Sequence, residues 1–167
     1  MPLKPSQKET ARDLIATYLR RCEETRTKKH YSQARPMTHL GKPPSAEWTA
    51  DCSGYATSAF RWADLAMSIK VNDPNGPLYN YNGYGYTGTL LANNKTRRIP
   101  LDRKFFVGDL ALYGPSLSNT THVCICRRNG EAMTALWSSH GNERGPYPVY
   151  LMYRRDLLCV VRTADLA

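Results

Sequence analysis

The sequence predicts an α+β domain in which N-terminal helices pack on an antiparallel β-sheet. Three observations carry this expectation. Apolar residues recur at helical spacing over 11–22 and again over 52–67. From Phe105 onward the pattern changes to short alternating runs. Between two of those runs stands Asn129-Gly130, a dipeptide suited to the positive φ values of a two-residue hairpin turn. Helices first and strands afterwards point to segregated layers rather than to repeating βαβ units.

The elements follow in order. Ser6-Gln7-Lys8-Glu9 reads as a capping box opening the first helix, whose stripe is Ala11, Leu14, Ile15, Tyr18, Leu19 and Cys22. Cys22 on that stripe reads as a buried small hydrophobe. Residues 24–48 are basic, then rich in Pro and Gly, and read as a connecting loop with His30 and His39 at the surface. A second helix is expected from Asp51 to Met67, with Cys52, Ala56, Ala59, Phe60, Ala63 and Met67 on one face. Next come Asp73-Pro74-Asn75-Gly76-Pro77 and then Tyr79, Tyr81, Tyr84 and Tyr86 among glycines and asparagines, suited to the wall of a polar groove. A short helix starts near Thr87 with Leu90 and Leu91, and residues 93–98 form a turn with a basic edge. Strands are expected at Leu110–Tyr113, His122–Arg127, Met133–Ser139, Val149–Tyr153 and Leu157–Arg162. The chain thus divides into an N-terminal helix and loop (1–48), a helix carrying Cys52 (49–70), a Tyr-rich loop (71–104) and a sheet (105–167).

At 167 residues the chain reads as one domain with room for a real core. Lys and Arg number 23 against 14 Asp and Glu, a net charge of +9 that implies attraction to an anionic partner: nucleic acid, a membrane surface or a wall polymer. The 5 cysteines include no C-x-x-C pair, which argues against a zinc ribbon or a thioredoxin-type motif. Residues 1–20 hold no uninterrupted apolar run, so neither a signal peptide nor membrane insertion is expected. The expectation is a monomer made in the cytoplasm.

One thiol stands out. Ala50-Asp51-Cys52-Ser53-Gly54-Tyr55 puts Cys52 at a helix start, where the dipole and unpaired amides favour a thiolate. His122 opens a strand after the polar loop 116–121, and a cysteine on a helix with a histidine on a strand are the two halves of a nucleophilic site. Asp51 reads as the helix cap rather than a catalytic acid. An oxyanion hole would draw on first-turn amides, that of Cys52 included. The third member is open between His140 and Glu143: a two-residue Asn-Gly turn would pair His122 with Trp137 and put His140 on the opposite face. Tyr55, Tyr84, Tyr86 and Trp137 are the candidate substrate contacts.

These residues resemble the NlpC/P60 cysteine peptidases, papain-like cell-wall hydrolases. The matching segments are Asp51-Cys52-Ser53-Gly54-Tyr55, Gly108-Asp109-Leu110-Ala111-Leu112-Tyr113 and His122-Val123-Cys124-Ile125. The stretch from Ser138 to Pro146 and Tyr86-Thr87-Gly88-Thr89-Leu90-Leu91 look like phage-encoded members. The resemblance implies a papain-like fold and cleavage of an amide bond in peptidoglycan stem peptides by a Cys52–His122 dyad, with no metal and no cofactor. It implies bacterial peptidoglycan as partner, with anionic wall polymers as a further ligand class and no nucleic acid. A phage endolysin or virion-associated lysin would reach the wall after release or as part of a virion. The competing reading is a basic, Tyr-rich module that binds wall polymer or nucleic acid without catalysis.

Overall fold

A computed structural model describes residues 2–68, 70–129, 133–136 and 145–167. Helix α1 spans Pro5–Glu24. Proline at its first position has its φ preset and lacks only an N–H that would go unpaired there. The start lies earlier than the expected box: Gln7 Oε1 accepts the Lys4 N–H at 2.7 Å, so Lys4, not Ser6, caps the helix. At the other end, Thr25 Oγ1 donates to the carbonyls of Arg21 and Pro44. Ala11, Ile15, Tyr18, Leu19 and Cys22 are buried, and burial pushes the Cys22 thiol up to about 12.

Helix α2, Cys52–Ala66, runs through the centre of the molecule, with every residue of its first nine buried. It ends where Asp64 turns from helix to loop contacts, accepting the Val71 N–H at 2.9 Å and pairing with Arg61. Helix α3, Thr87–Ala92, falls where Leu90 and Leu91 indicated. No helix among the described residues is long and apolar enough to cross a membrane.

Among the described residues eight strands complete the fold: β1 Lys29–Tyr31, β2 Trp48–Ala50, β3 Thr96–Ile99, β4 Leu110–Tyr113, β5 His122–Cys126, β6 Met133–Leu136, β7 Tyr147–Tyr150 and β8 Leu157–Thr163. The first two form a small parallel pair; the other six form one sheet in the order β3-β8-β4-β5-β6-β7, with each neighbouring pair antiparallel. The structure is therefore α+β, with helices on one face of an antiparallel sheet. Strict alternation sorts the sheet residues. Leu110, Leu112, Val123, Ile125 and Val161 join Ile15, Leu19, Ala59 and Phe60 in the core under the helices. Ala111, Tyr113, Cys124, Cys126 and Val160 point the other way and are covered by Phe105, Ile99 and Leu151.

Four expectations need correction. The loop read over 24–48 contains β1, and β2 begins at its end. The basic turn at 93–98 supplies strand β3, paired to β8 through Ile99↔Val160. The strand expected at 149–153 starts earlier, at Tyr147, and gives way to a 3₁₀ turn over Leu151–Tyr153. His39 is not at the surface: it is 1% exposed, stacked on Trp48 with ring centroids 5.0 Å apart, and burial drives its pKa down to about 4. His30 does lie exposed, 2.8 Å from Glu47.

Gly108-Asp109-Leu110 has a structural meaning of its own. Gly108 sits at φ +92, and a Cβ there would come within 2.6 Å of Leu166 Cδ1. The Asp109 carboxylate receives the Arg162 guanidinium in a fork, both N–H···O contacts at 2.7 Å, and also accepts the Phe106 N–H. That fork ties the turn before β4 to β8, two strands that must be in register.

Candidate functional site

Asp51 caps α2 from an extended backbone conformation. Its Oδ1 accepts the Gly54 N–H at 2.7 Å and the Ser53 hydroxyl at 2.9 Å. Its Oδ2 accepts Arg35 Nη2 at 2.7 Å, and the same nitrogen donates to Ser53 Oγ at 3.0 Å. The Asp-Cys-Ser-Gly segment is thereby a cap and a packing contact together. A Cβ on Gly54 would meet Met37 Sδ at 2.8 Å and His39 Cε1 at 3.1 Å, so a larger residue there would force Met37 and His39 away from the helix start.

Cys52 is 5% exposed at the floor of a cleft of about 410 Å³. The cleft is lined by Tyr31, Gln33 and Arg35 from one side, Tyr84, Tyr86 and Thr87 from another, and Thr120 and Thr121 from the end of the loop that leads into β5. The expectation of a thiolate is reversed. Burial pushes the Cys52 thiol up to about 12, the Asp51 charge adds to this, and the backbone amides of Val123 and Ser53 act in the opposite sense. Desolvation outweighs the amides here.

That amide contact brings the Cys52 sulfur to the backbone of β5 at Val123, the residue after His122. His122 is 1% exposed at the strand start. Its ring centroid lies 5.9 Å from that of Tyr113, its partner in the β4–β5 register, and its Nε2 lies 3.7 Å from Cys124 Sγ. Strand alternation thus groups the imidazole with Tyr113 and Cys124, while the peptide beside it faces the sulfur.

Of the candidate contacts, Tyr84 and Tyr86 line the cleft and are 56% and 55% exposed. Tyr55 does not line it. The ring is 1% exposed, stacks near Trp48 at 6.3 Å and belongs to the core. The spacing that aims Cys52 inward aims residue 55 inward too, three positions on. His140, Glu143 and Trp137 lie outside the described residues. The register next to them is nevertheless informative. Ile125 pairs with Ala135 and Cys126 with Thr134, one residue longer than a two-residue Asn-Gly turn gives, so even-numbered positions of β6 register with even-numbered positions of β5. A two-residue turn would instead have paired Cys126 with Met133.

Arg35 went unnoticed in the sequence. Its five guanidinium contacts go to Gly85 O, Gln33 O, Ala34 O, Asp51 Oδ2 and Ser53 Oγ. It clamps the Tyr84–Tyr86 loop to the start of α2. Nothing in a basic loop residue 16 positions before Asp51 signals this. Among the described residues, no group of three or more His, Cys, Asp and Glu side chains is placed to hold a metal ion.

Compared with protein-family models the chain matches none, and no curated protein matches it either.

Proposed function

We propose that this chain is a cysteine hydrolase of the NlpC/P60 kind, cleaving an amide bond in peptidoglycan stem peptides, in the setting of a phage endolysin or virion-associated lysin. The observation that carries the reading is the seating of Cys52. A thiol on the first turn of a central helix lies at the floor of a polar cleft, with its sulfur against the backbone of the strand that His122 opens.

The chemistry follows from the charge state. A thiol held near pKa 12 is protonated at neutral pH, so attack needs a base that takes the proton as the sulfur–carbon bond forms. His122 is that base in this reading, and to reach the sulfur its ring must turn from the side of the strand it shares with Tyr113 and Cys124. The Cys52 sulfur adds to the amide carbonyl, and the imidazole holds the thiol proton. The proton then goes to the leaving amine as the C–N bond breaks. Water, deprotonated by the same imidazole, hydrolyses the thioester and returns free Cys52. The developing oxyanion finds a donor in the first turn of α2. The Gly54 and Tyr55 amides are taken by the Asp51 side chain and carbonyl and the Ser53 amide acts on the Cys52 sulfur, which leaves that of Cys52 itself. Tyr84 and Tyr86, exposed along the cleft, would flank the stem peptide or its sugar.

Mass spectrometry of muropeptides after digestion of purified peptidoglycan tests the reading. New paired amino and carboxyl termini within stem peptides are expected. An unchanged muropeptide profile, with wall polymer bound but intact, would favour the binding module.

A further inference from the structure

A strongly basic feature of the described residues lies outside the Cys52 cleft. A groove of about 630 Å³ runs along the outer edge of the sheet, lined by Arg97, Arg98, Arg103, Lys104, Phe106 and Arg162 together with Ile99 and Pro100. It shares no lining residue with the cleft. Arg97, Arg98, Arg103 and Lys104 are exposed, and among the described residues none of the four makes an ion pair or a side-chain hydrogen bond. Arg162, at the back of the groove, is held by Asp109, and outside it Arg20, Arg35, Arg61, Arg127 and Arg154 each pair with a carboxylate. Arg21, Arg26, Lys28 and Lys42, by contrast, are exposed, unpaired among the described residues and spread over other parts of the chain. Asp102 is the only acidic residue between positions 94 and 108.

Behind the four groove cations the positive charge is already crowded. The Arg162 guanidinium lies 4.7 Å from the centre of the Phe106 ring and that of Arg12 lies 5.2 Å from it. Burial, with the Arg162 charge beside it, holds the Arg12 pKa below its usual value. Charged residues commonly protect an edge strand, and β3 is an edge, bonded in the sheet to β8 alone. That accounts for Arg97 and Arg98. It does not account for Arg103 and Lys104, which lie beyond the strand and close the other side of the groove.

We propose that this groove is a binding site for a flexible, base-free phosphodiester chain of the polyol-phosphate class. Four unneutralised cations along one groove match a repeating anion, and Arg forks suit phosphate oxygens. The choice against nucleic acid comes from the aromatic count. Single-stranded nucleic acid is held by bases stacked on open aromatic faces, whereas the one ring in this groove already carries two guanidiniums. Of the exposed tyrosines, Tyr84 and Tyr86 belong to the other cleft, and Tyr150 and Tyr153 do not line this groove. The site stands on charge and shape and does not depend on the Cys52 reaction. Its test reads binding without turnover, so either reading can fail alone.

The experiment is fluorescence anisotropy of the full chain against labelled, lipid-free poly(glycerol phosphate), and against labelled oligo(dT) of matched charge, from 50 to 300 mM salt. The variant R97Q/R98Q/R103Q/K104Q is compared with R21Q/R26Q/K28Q/K42Q, which removes the same charge from exposed positions elsewhere; R98E/R103E makes an equal change of charge at only two groove positions. The expected result is polymer binding that the groove variants weaken about tenfold or more, with the salt slope of the fourfold variant reduced by about 3. The control variant should keep most of the affinity. Equal losses in the groove and control variants, absence of polymer binding at 50 mM salt, or tighter binding of oligo(dT) than of the polymer would each overturn the proposal.

Discussion

Arg35 and Asp51 form an ion pair, Nη2 to Oδ2 at 2.7 Å, that joins the wall of the cleft to the cap of the helix carrying Cys52. The side chains are 19% and 10% exposed, so the pair is largely desolvated and its loss leaves a carboxylate without its partner. Arg35→Ala is expected to cost about 2–4 kcal/mol in urea unfolding and to lower kcat more than it raises KM. Arg35→Lys should recover part of the stability and little of the activity, because an ammonium cannot reach five acceptors from one plane. Full activity in Arg35→Ala would show that the clamp does not position the cleft.

The Asp109–Arg162 fork gives a sharper stability test. Asp109 is wholly buried and Arg162 nearly so. Arg162→Leu alone is expected to destabilise by about 3–5 kcal/mol, since it strands a buried carboxylate. Asp109→Leu combined with Arg162→Leu should cost clearly less than the sum of the single changes. Additive losses in the double-mutant cycle would contradict the coupling.

His39 predicts an acid-sensitive fold. Its folded pKa of about 4 lies below the ordinary 6.5, so between these values the unfolded chain binds the extra proton. Stability from this group is full above pH 6.5 and declines as pH falls toward 4, by about 3 kcal/mol in total. Denaturant midpoints at pH 7.5 and 5.0 measure it. His39→Gln should flatten that interval, and an unchanged pH dependence in this variant would remove His39 as the cause.

The Cys52 thiol predicts a characteristic alkylation profile. With its pKa near 12, the iodoacetamide rate at Cys52, taken as wild type minus Cys52→Ala, should rise about tenfold per pH unit from 7 to 9. A fast, pH-independent rate across 6–8 would mean a preformed thiolate–imidazolium pair instead.

Much of the architecture was legible from periodicity. Helices α1, α2 and α3 and strands β4 and β5 all lie where long or alternating apolar patterns put them. The misses share a cause. Thr96-Arg97-Arg98-Ile99 and Lys29-His30-Tyr31 are three- or four-residue strands with mostly polar side chains, formed because a neighbouring strand offers hydrogen bonds rather than because their own pattern alternates. Burial of His39 and Lys29 against Trp48 is likewise a tertiary effect, invisible in a basic loop. The same holds for the site. Cys52, the cap Asp51 and the strand of His122 could be read from local motifs. Arg35 and the one-residue longer β5–β6 register could not, since both are set by contacts between distant segments.

The central claim is that Cys52 is the nucleophile for amide cleavage in peptidoglycan. The most direct measurement is the rate of soluble-fragment release from purified peptidoglycan by wild-type protein and by Cys52→Ala, with matched folding shown by circular dichroism. The account predicts release by the wild type and a loss of about a thousandfold or more in the variant. Equal release by both proteins would contradict it.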